Sequence, residues 1–545
     1  MLTLIAAALV WLGWMTRAGL MGARMYQIEE YEGRRLLAWS RQRAWLAPSA
    51  TLAGAALALV IALVGLAAPA DWRRAVAGLA WLAGAAVAVA LWRTLPAKKA
   101  LVYTQRMRRI LGVAAALVVI LAALLVWALL AQAPAPVALF GGAVIALGGP
   151  LIVAPLLISA NWLLKPVEAR IQAGFVARAR AKYSRLAPLT IGVAGSYGKT
   201  SVKHILAALL QPAMETLPTP KSYNTLMGVT RAINEYLEPR HRAFVVEMDA
   251  YAVGEIAAMC RLVDPTMALV TSVGPQHLER FGAVERIADA LYELIAALPA
   301  GAPAVIYGGE ALAAGLAERA AAAGYQVVRY GMEGENAGPL DVIASEISVD
   351  ERATRFTWRW PAEGLEQRVA IPLLGQHNVL NVSAALVVIH LLGLPVDEAA
   401  RDALRLEPAP HRLQLIPSPG GMTIIDDSYN ANPVGVHNGL EVLRQMRGRH
   451  KILVTPGLVE LGAVEEAENR RFGEHAATVC DHVILVGARQ TQPIAEGLRA
   501  GGLPAERTHI VESLDEVTAT LARIAGPGDV TLFANDLPDT YLALK

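Results

Sequence analysis

Residues 192–210 read GVAGSYGKTSVKHILAALL, a run whose residue types suit phosphate chemistry. An apolar strand, Leu189–Ala194, runs into a turn through Gly195, Ser196 and Gly198, and a helix is expected from Lys199. That order aims backbone N–H groups and a helix N-terminus at one point, where an anion binds well. Lys199 would reach the β- and γ-phosphates, and the hydroxyl of Thr200 or Ser201 would serve Mg2+. The usual first glycine of a Walker A loop falls at Val193, so the loop reads as a tighter variant. A glycine turn that only caps a helix is the alternative. GKTS directly after a strand favours a nucleoside triphosphate site.

Five further clusters carry polar residues in places where chemistry is done. In VVEMDAYAVGEI, Glu247 sits at the C-terminal end of an apolar strand, the edge where open α/β sheets bind ligands. It suits a metal ion, or it is a solvated strand end. In VTSVGPQHLERFG, His277 follows another strand end. A lone His is more often structural, but beside Glu247 and a phosphate loop it suits Mg2+. In LLGQHNVLNVSAAL, His377, Asn378 and Asn381 surround a helix start, where Asn either caps the helix or reads a base edge. Arg412 of PHRLQ lies at a domain junction and could bridge onto phosphate oxygens. In IIDDSYNANP, Asp426 and Asp427 could hold a ribose or a metal.

These clusters need a scaffold that brings strand ends together. From Leu186 onward short apolar runs alternate with amphipathic helices, the pattern of a mostly parallel sheet flanked by helices. Strands are expected at Leu189–Ala194, Ala243–Met248, Met267–Val273 and Ala304–Tyr307, and antiparallel ones at Val342–Ser348, Thr354–Trp360 and Arg368–Pro372. Helices Asn378–Leu392 and Asp397–Leu404 close this domain. A second α/β run starts near His411, with strands Thr423–Asp427, Lys451–Pro456, His482–Val486 and Val530–Ala534. The boundary is placed at EPAP, between Arg405 and His411.

Ahead of that lies a different composition. Of 545 residues, those before about Lys165 hold five apolar segments: Leu2–Met15, Leu46–Pro69, Ala75–Trp92, Ile110–Ala131 and Val137–Leu164. A spanning helix needs about 20 apolar residues, which four of them approach or exceed. Basic residues gather after the first (Arg17 to Arg43), the third (Arg93 to Arg109) and the fifth (Lys165 to Arg185), and are sparse elsewhere. The positive-inside rule then puts the N-terminus outside and everything beyond Leu164 in the cytoplasm, where ATP is found. The expected domains are a transmembrane region over 1–164, a basic linker over 165–185, and two soluble domains over 186–408 and 409–545. A net charge of +2 gives no reason to expect nucleic acid, and two distant cysteines offer neither a disulfide framework nor metal-ligand spacing.

Taken together, GSYGKTSVK, YNTLMGV, the Glu247 segment, HLERFG, GQHNVLN, HRLQ, DDSYNANP and VELG resemble, in order, the motifs of the Mur ligases. These are ATP-dependent amide-forming enzymes of peptidoglycan precursor synthesis, and the likeness is nearest to members that add D-alanyl-D-alanine. The resemblance covers about Leu186 to the C-terminus and implies a P-loop central domain followed by a Rossmann-like C-terminal domain. It implies that Gly195, Ser196, Gly198, Lys199, Thr200 and Ser201 hold the phosphates, with Thr200, Glu247 and His277 serving magnesium. Asn378 and Asn381 would contact adenine, Arg412 the phosphates and Asp427 the ribose. Lys199, Glu247, His277 and Arg412 would be catalytic. A substrate carboxylate would attack the γ-phosphate to give an acyl phosphate, and an amine would displace phosphate, leaving an amide and ADP.

Several positions depart from that pattern. The apolar segments stand where the family's UDP-sugar domain would be, so the carboxylate substrate is expected to be UDP-linked or lipid-linked. The position of the family's carbamylated lysine is Leu291, which implies a one-metal site or a substitute ligand. The tail reads FANDLPDTY rather than KGSRG, and Leu458 stands where Asp is common, which leaves the amine, an amino acid or dipeptide, open. The expected protein is a multi-pass ligase of the inner (cytoplasmic) membrane. The alternatives are a ligase for another peptide or polyglutamate-like polymer, and a non-catalytic ATP-binding membrane scaffold.

Overall fold

The structure, a computed structural model, describes residues 2–29, 31–44, 100–130, 149–335, 337–349, 353–407, 411–417, 421–428, 432–459 and 461–535, with isolated positions between 60 and 83. Apart from those positions, the expected spans Leu46–Pro69 and Ala75–Trp92 lie outside the described residues, as do residues 137–148 of the fifth. So do Tyr429–Ala431, Glu460, the EPAP prolines and the tail beyond Asn535. Two compact units emerge, one ending at Ile171 and one starting at Gln172.

In the first unit, helices Leu2–Ile28, Gly33–Ala44 and Gln105–Leu130 and the part of helix Gly149–Leu186 up to Ile171 enclose a core that includes Tyr26, Leu36, Met107, Ile110 and Leu157. Gly22 lets two helices meet, because a Cβ there would come within 2.6 Å of Val153. Asn161 donates to the buried Tyr26 hydroxyl at 2.9 Å, and the Arg109 guanidinium grips Glu168 through two bonds, of 2.6 and 2.9 Å. Among the described residues one helix, Ile152–Leu186, is long and apolar enough to cross a membrane. Residues 165–185, expected as a linker, are the second half of the 38-residue helix Gly149–Leu186.

The second unit holds two sheets. The first has strands β1 (Leu189–Ala194), β2 (Thr216–Pro218), β3 (Ala243–Glu247), β4 (Met267–Val270), β5 (Pro303–Tyr307), β6 (Gln326–Met332), β7 (Val342–Val349), β8 (Thr354–Trp360) and β9 (Leu365–Ile371). Their order is β2-β3-β1-β4-β5-β6-β7-β8-β9, parallel as far as β7 and antiparallel after it. β1 and β3 are apolar runs buried on both faces, as central parallel strands must be. One face packs on helices Lys199–Leu210 and Gln376–Leu391, the other on Glu255–Val263 and Val284–Ala296. Helix Gln376–Leu391 is apolar nearly all round, so it runs inside the domain rather than along its surface.

The second sheet comprises β10 (Gln414–Pro417), β11 (Thr423–Asp427), β12 (Lys451–Thr455), β13 (His482–Val486), β14 (Thr508–Val511) and β15 (Val530–Ala534), in the order β10-β11-β15-β12-β13-β14. β2, β10 and β14 were not expected from sequence. All three are short edge strands, half exposed and without a full apolar run. β6 was missed because Arg329 and Gly331 interrupt its apolar residues.

Helices Glu465–Ala477 and Gln492–Ala500 touch through glycines. A Cβ on Gly497 would overlap the Arg470 carbonyl oxygen, and one on Gly473 would overlap that of Ile494. Backbone cannot yield as a flexible side chain does, so Gly497→Ala is expected to destabilise the protein by about 1–3 kcal/mol. Gly315, exposed in helix Ala311–Ala322 with nothing within 4 Å, gives the opposite control. Its change to Ala should stabilise by about 0.5–1 kcal/mol. Melting of the two variants in detergent checks both signs.

Candidate active site

β1 ends at Ala194 and the chain turns through two glycines with positive φ, Gly195 at 141° and Gly198 at 82°. A Cβ on Gly195 would overlap Thr271 Oγ1, and one on Gly198 would lie 2.9 Å from Asn381 Oδ1, so both positions exclude other residues. The segment after β4 pins the loop. Ser196 N donates to Ser272 O at 2.8 Å, Tyr197 N to Ser272 Oγ at 2.9 Å, and Ser196 Oγ to Gly274 O at 2.9 Å. Thr271 Oγ1 also donates to Tyr197 O. The helix Lys199–Leu210 starts directly from Gly198, as expected, so its free N–H groups face the loop.

Lys199 is buried beneath this loop. Its Nζ donates to Gly195 O at 2.6 Å and Gln276 Oε1 at 2.9 Å, and it pairs with Asp249 Oδ1 at 3.3 Å. Asp249 Oδ2 lies 3.8 Å from His277 Nε2. Burial works to raise the Asp249 carboxyl, but the Lys199 ammonium and the His277 ring outweigh it and hold the group well below the usual carboxylate range. His277 takes a left-handed backbone, φ 54°, just before the short helix Leu278–Phe281 and packs on Tyr251 with ring centroids 4.5 Å apart.

Glu247 ends β3 with its carboxylate buried. Oε1 accepts from Thr200 Oγ1 at 3.0 Å and Asn224 Nδ2 at 3.2 Å, while Oε2 accepts from Lys203 Nζ at 2.8 Å. Thr200 and Ser201 both line the cleft, and Thr200 bonds Glu247. Of the expected group, Thr200 and Glu247 are bonded to each other, and His277 lies beside Asp249. Among the described residues no three His, Cys, Asp or Glu side chains converge as a metal-binding group. Thr200 and Glu247 still offer two hard oxygens beside the phosphate loop, a donor set that suits Mg2+, which takes few protein ligands alongside phosphate and water. Leu291 shares a cavity of 10 Å3 with Asp249 and His277.

Across the cleft, Asn378 and Asn381 are the third and sixth residues of the helix Gln376–Leu391, whose N-cap is Gly375. They do not cap it. Asn378 Nδ2 donates to Leu374 O at 2.8 Å and Asn381 Nδ2 to Asn378 Oδ1 at 3.0 Å. Burial, with Arg412 nearby, pushes the His377 imidazole down to about 4, so it is neutral at physiological pH. The two aspartates of β11 separate as neighbours on a strand must. Asp426 is engaged by His411 Nδ1 at 2.7 Å and Ser428 Oγ at 2.6 Å, whereas Asp427 lines the cleft with Arg412. Phosphate loop, Glu247, the two asparagines, Arg412 and Asp427 all border one cleft of 290 Å3.

The sequence reading did not single out Lys203, Asp249, Asn224 or Gln276. Lys203 carried a signal, standing four residues after Lys199 on the same helical face. The other three sit in loops whose partners are distant in sequence.

Residues 193–389 match the Mur ligase middle domain, and residues 411–535 match the Mur ligase, glutamate ligase domain. The chain is similar to the UDP-N-acetylmuramoyl-tripeptide–D-alanyl-D-alanine ligase of Bacillus subtilis (strain 168), 30% identical over 65% of this chain and 74% of that protein. Its counterpart from Escherichia coli (strain K12) is 32% identical over 59% and 70%. Two solved structures share the fold at 26% identity, each over 68% of this chain. They are MurF from Acinetobacter baumannii (TM-score 0.60, 78% of that chain) and the MurF ligase of Thermotoga maritima in complex with ADP (TM-score 0.59, 81% of that chain).

Burial raises the Asp427 carboxyl to about 6, and Arg412 offsets only part of the shift. Between its ordinary 3.8 and about 6 the folded protein holds a proton that the unfolded chain has released, so this group's contribution to stability falls as pH rises through that window. Asp427→Asn is expected to gain about 1–2 kcal/mol over the wild type at pH 7.5, a gain that vanishes below pH ~4. Melting curves across pH test this, and a gain of the same size at pH ~4 would sink it.

Proposed function

Because the chain belongs to the Mur ligase family of ATP-dependent, ADP-forming peptide ligases, we propose that it joins the carboxylate of a muramoyl peptide to the amine of D-alanyl-D-alanine, at the cytoplasmic face of the inner membrane. The observation that carries this reading is the cleft itself. A strand–loop–helix built to cradle phosphates faces Arg412 and Asp427 of the C-terminal domain. The names of the relatives support the amine.

In this reading the loop amides at Gly195–Gly198 and the first turn of the helix receive the phosphates of ATP. Lys199 Nζ exchanges Asp249 and Gln276 for a phosphate oxygen. Thr200 Oγ1 and Glu247 Oε1 would hold Mg2+, which when bound neutralises phosphate charge. Asp427 accepts from the ribose hydroxyls and Arg412 contacts phosphate oxygen from the opposite wall, so both domains must meet the nucleotide together. Asn378 and Asn381 offer amides to adenine. Positioning and electrostatics carry the reaction, in which the substrate carboxylate takes the γ-phosphoryl group before the amine displaces it.

The membrane half of the reading is supported by the helix Ile152–Leu186, by its exposed Trp162 and Leu163, and by the basic residues Lys165, Arg170 and Arg178 that follow. A substrate carried on UDP or on a lipid shares the same reacting carboxylate, and the assay separates the two. The scaffold reading loses its support, since the family is one of ligases.

The test is phosphate release from Mg-ATP by the full-length protein in detergent, with D-alanyl-D-alanine and either the UDP-linked or the lipid-linked muramoyl tripeptide. Release should require both the amine and one of the two carriers. Lys199→Ala should lower kcat by about 10²–10³-fold. Release that is indifferent to the dipeptide, or a fully active Lys199→Ala, contradicts the assignment.

A further inference from the structure

One buried charge has no part in that mechanism. Lys203 lies one turn beyond Lys199 on the helix Lys199–Leu210, with a fully buried side chain. Burying an ammonium is costly unless oxygen atoms surround it. Its Nζ donates to Glu247 Oε2 at 2.8 Å and to the Lys221 carbonyl oxygen at 2.9 Å. The two carboxylate oxygens are thereby assigned to different sides. Oε2 is held by Lys203, which is not part of the cleft wall. Oε1 meets Thr200 and Asn224, which are.

The second acceptor extends the arrangement to a third element. Lys221 holds a left-handed backbone, φ 50°, in the loop between β2 and the helix Leu226–Glu235. The same loop supplies Thr219, whose Oγ1 accepts from Glu247 N at 3.1 Å, and Asn224, which donates to Oε1. One ammonium therefore ties the phosphate-loop helix, the end of β3 and this loop around a single carboxylate.

We propose that Lys203 is a positioning residue for nucleotide-bound metal: it holds Glu247 Oε2 from behind so that Oε1 stays turned, beside Thr200 Oγ1, towards the phosphates. The inference rests on the role proposed above for Glu247. Groups that orient a metal ligand from outside the coordination shell typically change metal affinity about 10–100-fold when removed. A merely structural lysine would lower the melting temperature and leave the affinity of the folded protein unchanged.

The experiment compares full-length wild type, Lys203→Met, Lys203→Arg and Glu247→Gln in detergent. Mn2+ binding with a non-hydrolysable ATP analogue is followed by electron paramagnetic resonance, alongside melting temperature and the kcat and KM for Mg-ATP. Lys203→Met should weaken Mn2+ binding about 10–100-fold and raise KM more than it lowers kcat, with Lys203→Arg between it and the wild type. Wild-type Mn2+ affinity in folded Lys203→Met overturns the proposal, whatever happens to the melting temperature. Should Lys203→Met fail to fold, Lys203→Arg decides: reduced affinity supports the proposal and wild-type affinity overturns it. Glu247→Gln separates the two claims, because wild-type Mn2+ affinity there removes the reading of the site itself.

Discussion

A carboxylate buried at the end of a parallel strand must find donors for both oxygens, and the way Glu247 does so organises its surroundings. Thr200 and Lys203 come from one helix and Asn224 from a separate loop, while Thr219 of that loop receives the Glu247 amide. Leaving such a group unpaired costs more than any single bond to it contributes. The helix, the strand end and the loop are therefore constrained together. The phosphate loop lies at the start of that same helix, so its placement follows from the same constraint.

The loop carries a second polar arrangement on its other side. Lys199 is met by Gly195 O, Gln276 and Asp249, and Asp249 is in turn shared with His277. In the proposed reading an incoming phosphate competes with these protein acceptors for the Lys199 ammonium. Asp249, held ionised by its neighbours, is the strongest of those competitors. The cleft thus has two acidic residues from one strand end with different duties. Glu247 faces Thr200 and Lys203, and Asp249 faces Lys199 and His277.

Opposite them, the C-terminal domain presents Arg412 and Asp427, a cation and a carboxylate beside each other at the end of β11. Asp427 is buried in a setting that works against its charge, while Asp426 one residue earlier is satisfied by His411 and Ser428. Asp427 is accordingly less stable in its charged form than it would be with hydroxyl donors at hand. If Asp427 binds the ribose as proposed, this is an exchange of stability for binding.

The alternation of apolar runs and amphipathic helices, the strand–loop–helix around Lys199 and the order of the motifs were all legible in the chain, because each depends on residues near one another. Two glycines, a lysine and a threonine at fixed spacing suffice to define a loop whose geometry is local. The same local reasoning misses what long-range pairing decides. Lys203 and Glu247 stand 44 residues apart, and Lys199 and Gln276 stand 77 apart. No periodicity links such positions. Edge strands such as β2 and β10 escape for the related reason that a partner, not their own apolarity, makes them strands. Residue types alone left Asp426 beside Asp427, and Thr200 beside Ser201, as candidates, and the family resemblance pointed to Asp427 and Thr200. Only the tertiary structure separates them, because neighbouring side chains on a strand or helix point in different directions: Asp427 lines the cleft while Asp426 meets His411 and Ser428, and Thr200 rather than Ser201 bonds Glu247.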